Sequence, residues 1–200
     1  MIAAFLAAAV SSFTADFPQA AIIESPASGR LTNASGLTAS GWGATPESAA
    51  LAFLARYGAA FGISPKQRLV VRGGGTALHI ERQIDGLPVF DGDVVVGVDA
   101  NNAVILVNSA DVPFETSGRF RYSRRAAARA ATKALSGSVS PETPRAVRGW
   151  RSAGQTVRPV WRVDLATERP ACEWRTFVDA ETGMVISRTN LRANGGAGIR

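Results

Sequence analysis

The chain has a single cysteine, Cys172, and a single histidine, His79, among 200 residues. No intrachain disulfide can form, and no Cys/His zinc cluster can be assembled from this chain alone. The helix-borne pair of histidines flanking a glutamate, which holds zinc and activates water in metallopeptidases, is missing. So is the Gly-x-Ser-x-Gly turn that would offer a serine to His79. Gly73-Gly74-Gly75 is not followed by the Lys-Ser/Thr pair of a phosphate loop and reads as a hairpin connection. No run approaches the roughly 20 apolar residues of a membrane-spanning helix. These absences predict a protein that is not an enzyme, with no catalytic residue, metal site or cofactor.

What remains supports a folded protein, because 46% hydrophobic content over this length can bury one core or two small ones. Positions 2–10 are apolar, and Ala7-Ala8-Ala9 has the small-residue character of a signal-peptidase site, although no Lys or Arg precedes Arg30. Residues 1–20 therefore read as a signal-peptide-like leader, and the protein is expected to be secreted. Charge is unevenly divided: positions 1–114 hold 6 basic and 9 acidic residues, a net of −3, and positions 115–200 hold 16 and 7, a net of +9. The arginines of the basic half are scattered and lack an aromatic stacking array, so nucleic acid is not the expected partner. Complementarity to an acidic protein surface is the more specific reading.

Local signals give the order of elements. Positions 11–44 are rich in Ser, Thr, Gly and Ala without a sustained period and read as an extended lead-in. Thr45 caps a helix with Pro46 in its first turn, a stripe of Ala50, Phe53, Leu54, Tyr57 and Phe61, and a stop at Gly62. Strands follow at 68–72 and 76–84, the latter with Leu78, Ile80 and Ile84 on one face and His79, Glu81 and Gln83 on the other. Asp85-Gly86 marks a turn, and 93–98 with 103–108 forms a hairpin. After a linker, Ser123 caps an alanine-rich helix reaching about Ser136 and stopped by Gly137; positions 138–144 read as a loop. Strands at 146–150, 156–165, 173–178 and 184–188 complete the chain, with Trp161 and Trp174 in the second core and Cys172 in a loop. The expected fold is α+β: two small units, each one helix packed on an antiparallel sheet. Boundaries are expected at 1–20 for the leader, 21–112 for the first unit, 113–120 for the linker, 121–190 for the second unit and 191–200 for a flexible tail.

The run His79-Ile80-Glu81-Arg82-Gln83-Ile84-Asp85-Gly86-Leu87-Pro88-Val89-Phe90-Asp91-Gly92-Asp93 resembles the fungalysin/thermolysin propeptide module. Val160-Trp161-Arg162-Val163 and the stretch from Phe177 to Val185 resemble the PepSY domain that follows it in secreted zinc-peptidase precursors. The resemblance implies a propeptide that helps a catalytic domain fold and inhibits it, with the catalytic domain absent from this chain. It implies structural or interface roles for His79, Gln83, Gly86, Pro88, Val89 and Trp161. Arg188, Thr189, Asn190 and Leu191 resemble the end of such propeptides and are expected to reach the partner's cleft, with Gly195-Gly196-Ala197-Gly198 as a cleavable junction. The implied partner is a secreted zinc metallopeptidase catalytic domain. Two other readings remain open, a free-standing inhibitor acting in trans and an extracellular module that captures peptides by strand addition.

Overall fold

The computed structural model describes residues 2–135, 138–139, 144–169 and 171–192. It is an α+β protein, and its contacts divide it into two compact units: Met1–Glu115 with Ser152–Val157, and Thr116–Arg151 with Arg158–Arg200.

In the first unit, α1 (Ile2–Asp16) is followed by β1 (Ala21–Glu24), β2 (Leu31–Ala39), α2 (Pro46–Tyr57), a 3-10 turn (Gly58–Phe61), β3 (Arg68–Val71), β4 (Ala77–Ile84), β5 (Leu87–Phe90), β6 (Val94–Val98) and β7 (Val104–Ser109). The strands pair antiparallel in the order β1, β2, β7, β6, β4, with β3 and β5 also on β4. The start of α2 follows from its sequence: Thr45 Oγ1 accepts from Ser48 N at 3.2 Å, and Ser48 Oγ accepts from Thr45 N at 3.0 Å, so two orphan amides are satisfied reciprocally. Ala50, Phe53, Leu54 and Tyr57 form the buried face. Gly62 ends the 3-10 turn at φ 72°, where a side chain would be strained and a Cβ would stand 2.6 Å from Arg30 Cδ.

The lead-in expectation needs correction. The stretch 11–44 carries the end of α1 and two strands, and Phe13 is fully buried. Its ring lies 5.1 Å from Phe17, 5.3 Å from Phe61, 5.7 Å from Tyr57 and 6.5 Å from Phe53, all but the first at near-perpendicular angles that suit the ring quadrupoles. Asp16 Oδ2 accepts from the Tyr57 hydroxyl at 2.7 Å and fixes the end of α1 over α2. The residues read as a leader thus supply the centre of the first core. β2 escaped the alternation test because it bulges: Gly36 has φ 71°, the register to β7 shifts between Ser35 and Ala39, and the buried positions Leu31, Ala34, Leu37 and Ala39 do not recur every second residue.

β8 (Glu115–Thr116) lies at the division between the units. The second unit holds α3 (Arg124–Lys133), β9 (Ser138–Val139), β10 (Arg145–Ala153), β11 (Thr156–Arg169), β12 (Ala171–Asp179) and β13 (Val185–Asn190). β10, β11, β12 and β13 are neighbours in that order, and β9 pairs with β11, so positions 138–139 are strand rather than loop. Ser123 Oγ accepts from Ala126 N at 3.2 Å and caps α3, whose Ala127 and Ala131 bury completely against a core of Trp161, Val163, Leu165 and Val178. Methyl-sized side chains let the helix lie close to the sheet. The predicted helix end at Ser136 and Gly137, and the Gly195–Gly198 junction, fall outside the described residues. Cys172 sits in β12, opposite Thr167 and half-buried, not in a loop.

Candidate functional site

The motif-bearing run folds as β4, a tight turn, β5, and the entry to β6. Asp85 and Gly86 both adopt positive φ, 52° and 72°, the geometry an Asp-Gly two-residue hairpin requires. Pro88 lies opposite Gln83 in β5, and Val89 is buried. A Cβ at Gly92 would stand 2.7 Å from Val89 Cγ1, so the Val89-to-Gly92 turn closes only around glycine. The two faces of β4 divide as the alternation demands. Leu78, Ile80, Arg82 and Ile84 point into the unit, while His79 is exposed and Glu81 and Gln83 are half-buried on the outer face.

That outer face is polar. Gln83 Nε2 donates to Glu81 Oε1 at 2.7 Å, and Arg72 Nη2 donates to the same oxygen at 3.1 Å. The His79 ring makes no hydrogen bond to a described residue. Asp93, at the entry to β6, has its pKa raised by burial and then by the charge of Glu81. Among the described residues, no three His, Cys, Asp or Glu side chains are grouped to hold a metal ion.

Arg82 is the motif residue that the sequence reading passed over, and it is fully buried. Its Nη1 donates to Gly62 O at 3.1 Å and its Nη2 to Phe61 O at 3.3 Å, Ala110 O at 3.1 Å and the Ser109 hydroxyl, which itself donates to Phe61 O at 3.1 Å. The side chain therefore clamps the 3-10 turn to the end of β7. Burial first, and then the charge of Arg30, pull its pKa down to about 9, so it remains a cation at neutral pH. Alternation contained the signal, since Arg82 is in phase with Ile80 and Ile84. A second polar knot lies nearby: Asp111 accepts from Arg30 at 2.8 Å, Ser25 at 2.6 Å and Ser28 at 2.9 Å. Burial raises the Asp111 carboxyl, but these three hydrogen bonds and the Arg30 charge outweigh it and hold its pKa below the ordinary carboxylate value.

In the second unit, Trp161 is buried, and its Nε1 donates to Tyr122 O at 2.9 Å. Both Arg121 N and Tyr122 N donate to Ala180 O at 2.8 Å, so the two residues after the expected linker are fastened to the turn before β13. The Tyr122 ring occupies the space where a Cβ on Gly183 would fall. Trp161 thus holds this corner together from inside.

The last strand runs two residues past the expected end at Arg188. Arg188, Thr189 and Asn190 belong to β13, paired with Thr176, Arg175 and Trp174, and Leu191 N donates to Glu173 O at 2.7 Å. Arg188 to Asn190 are sheet, within the expected second unit, and Leu191 follows in a turn. The Arg188 guanidinium lies 5.2 Å from the Trp174 ring and donates to Ala134 O just beyond α3, a favourable place for a cation at a helix C-terminus. Arg192 pairs with Glu173 at 3.0 Å. Among the described residues β13 pairs only with β12, and none of them pairs with its outer edge. Since Leu191 N faces β12, the strand period turns the backbone of Arg188 and Asn190 outward. Met184, Val185 and Ile186 are exposed beside this edge, at 69%, 36% and 50%, an apolar run that water does not favour.

Residues 68–110 match the family described as Fungalysin/Thermolysin Propeptide Motif. A similar solved structure is the Bacillus megaterium YpeB C-terminal domain, 12% identical, with a match covering 93% of this chain and 96% of that one at a TM-score of 0.38. No curated protein matches the chain. The class of protein defined is thus an α+β chain whose first unit carries the propeptide motif from β3 through the end of β7.

Proposed function

We propose that the chain is the propeptide of a secreted zinc metallopeptidase of the thermolysin or fungalysin type, assisting the folding of the catalytic domain and inhibiting it. The observation that supports this most is the motif match at 68–110, which coincides with the β3-to-β7 sheet and the buried Arg82 clamp. A rigid sheet of this kind is suited to templating. A ligand bound only to the native catalytic domain stabilises it by about 2.7 kcal/mol when present at a hundred times its Kd, and one that also binds the folding transition state lowers the barrier. The second unit plays the PepSY part of such precursors, and the leader directs the chain outside the cell. The role is non-catalytic and the partner is the peptidase domain. The reading is tested by refolding a denatured thermolysin-type catalytic domain with and without the purified chain. Active-enzyme yield should rise severalfold with one equivalent, and an unchanged yield contradicts the folding role.

The outer edge of β13 beside Met184, Val185 and Ile186 favours a second reading, a free-standing module or trans inhibitor that takes an extended partner strand onto that edge. Lysine substitution at Val185 and Ile186 would abolish such pairing and leave the first reading's folding assay unaffected.

A further inference from the structure

The exposed side of α3 carries Arg124, Arg125, Arg129 and Lys133, which with Ala128, Thr132 and Pro144 line a groove of about 690 Å³. Three features make this arrangement costly for the free protein. No acidic residue stands in the first turn of α3, where two arginines instead face the positive end of the helix dipole. Arg125, Arg129 and Lys133 follow at four-residue spacing, so like charges are stacked one above the next. None of the four cations has an ion-pair or hydrogen-bonding side-chain partner among the described residues. A solvated face would tolerate such a row, but it would not need an apolar floor beneath it.

We infer that this groove is a docking site for an acidic segment of a partner polypeptide, its carboxylates meeting Arg125, Arg129 and Lys133 and its intervening small side chains resting on Ala128, Thr132 and Pro144. Cations four residues apart on a helix stand about 6 Å apart along its axis. Alternate residues of an extended peptide repeat every 6.5–7 Å or so, which places every second side chain near a cation. Nucleic acid fits less well, because among the described residues the lining has no aromatic ring on which a base could stack. Assigning the segment to a peptidase catalytic domain rests on the propeptide reading above; the groove itself does not.

The test uses the full chain and a fluorescein-labelled alternating Glu-Ser octapeptide, read by anisotropy at low salt and at 0.3 M salt. Wild type should bind, weakening with salt. R125E/R129E/K133E should weaken binding at least tenfold, R125Q/R129Q/K133Q by a smaller factor, and R56E/K66E/R68E, an equal charge change on the first unit, less than threefold. No binding by wild type, equal losses in the groove and control variants, or tighter groove-dependent binding of an oligothymidylate of the same charge overturns the proposal. In parallel, wild type and the groove variant are added to a mature thermolysin-type peptidase. Groove-dependent peptide binding with slower peptidase association in the variant supports both inferences. Groove-dependent peptide binding with no peptidase inhibition by wild type supports the groove and removes the propeptide reading.

Discussion

Phe13 decides whether the amino-terminal residues are a disposable leader or part of the fold. Its ring is fully buried among Phe17, Phe53, Tyr57 and Phe61, so Phe13→Ala removes both the transfer energy of a phenyl group and the packing of four rings. Phe→Ala in a core costs about 3–5 kcal/mol, and the enclosure here, with no solvent face through which the site could relax, places the change at about 4. Against a domain stability of about 5–15 kcal/mol, that is a large fraction of the whole. The assay is urea unfolding followed by tryptophan fluorescence, in which the share of Trp42, beside those of Trp150, Trp161 and Trp174, reports on this cluster because Trp42 packs 5.7 Å from Phe53 and 5.6 Å from Tyr57. The midpoint should fall sharply with little change in slope. Deleting residues 2–9 removes Leu6 from the core and should cost only about 2 kcal/mol, whereas deleting 2–17 should unfold the first unit. Processing at Ala9 would therefore leave a stable protein and processing beyond Phe13 would not. A loss below about 1 kcal/mol for Phe13→Ala would refute this packing argument.

The Arg82 clamp predicts that Arg82→Met, similar in length but without donors, destabilises by about 2–4 kcal/mol, since it leaves the buried carbonyl of Gly62 unpaired and strips one donor from Ala110 O while recovering part of the burial cost of the charge; equilibrium unfolding measures it. Asp111 has a folded pKa below its unfolded value, so its contribution is fully present above the ordinary carboxylate range and is lost as pH falls through the lower folded pKa. Unfolding midpoints between pH 7 and 3 should show an acid decline that is shallower in Asp111→Asn, which is also less stable at pH 7 because Arg30 loses its partner. Asp93 has the opposite sign: its raised pKa makes the ionised form a liability, so Asp93→Asn should stabilise the chain slightly at pH 7 and not at pH 3. Gly183→Ala forces a side chain to φ 75° and into the Tyr122 ring. It should cost about 1–3 kcal/mol and speed proteolysis near Tyr122, followed by limited digestion.

The readable parts of this fold are those where local chemistry and tertiary structure agree. Thr45, Pro46 and Gly62 bracket α2 and its 3-10 extension, and Asp85-Gly86 makes the hairpin its dihedrals demand. The illegible parts share a cause, contacts that no local window contains. The Ala-rich α1 has no acidic residue in its first turn, no basic residue in its last and a weak apolar stripe, and its place is set by aromatic rings more than thirty residues away. β2 is disguised by the bulge at Gly36, and β12 by Pro170, which suggested that Cys172 lay in a loop. Among the candidate site residues, His79 and Gln83 lie on the outer face of β4 as alternation requires. The same alternation placed Arg82 inside, but a charged residue was not expected to complete a core. Arg188 closes the expected strand at 184–188, and Thr189 and Asn190 prolong it because β12 offers them an edge that nothing in the sequence shows.

The propeptide proposal requires this chain to recognise a folded thermolysin-type catalytic domain, and inhibition of the mature enzyme by purified chain under steady-state conditions decides it. Saturable, stoichiometric inhibition is expected, with a dissociation constant in the micromolar range or tighter, weakened but not lost when Arg82→Met destabilises the motif-bearing sheet. Full activity at a hundredfold excess of folded chain, with no complex detected by sedimentation, would contradict it.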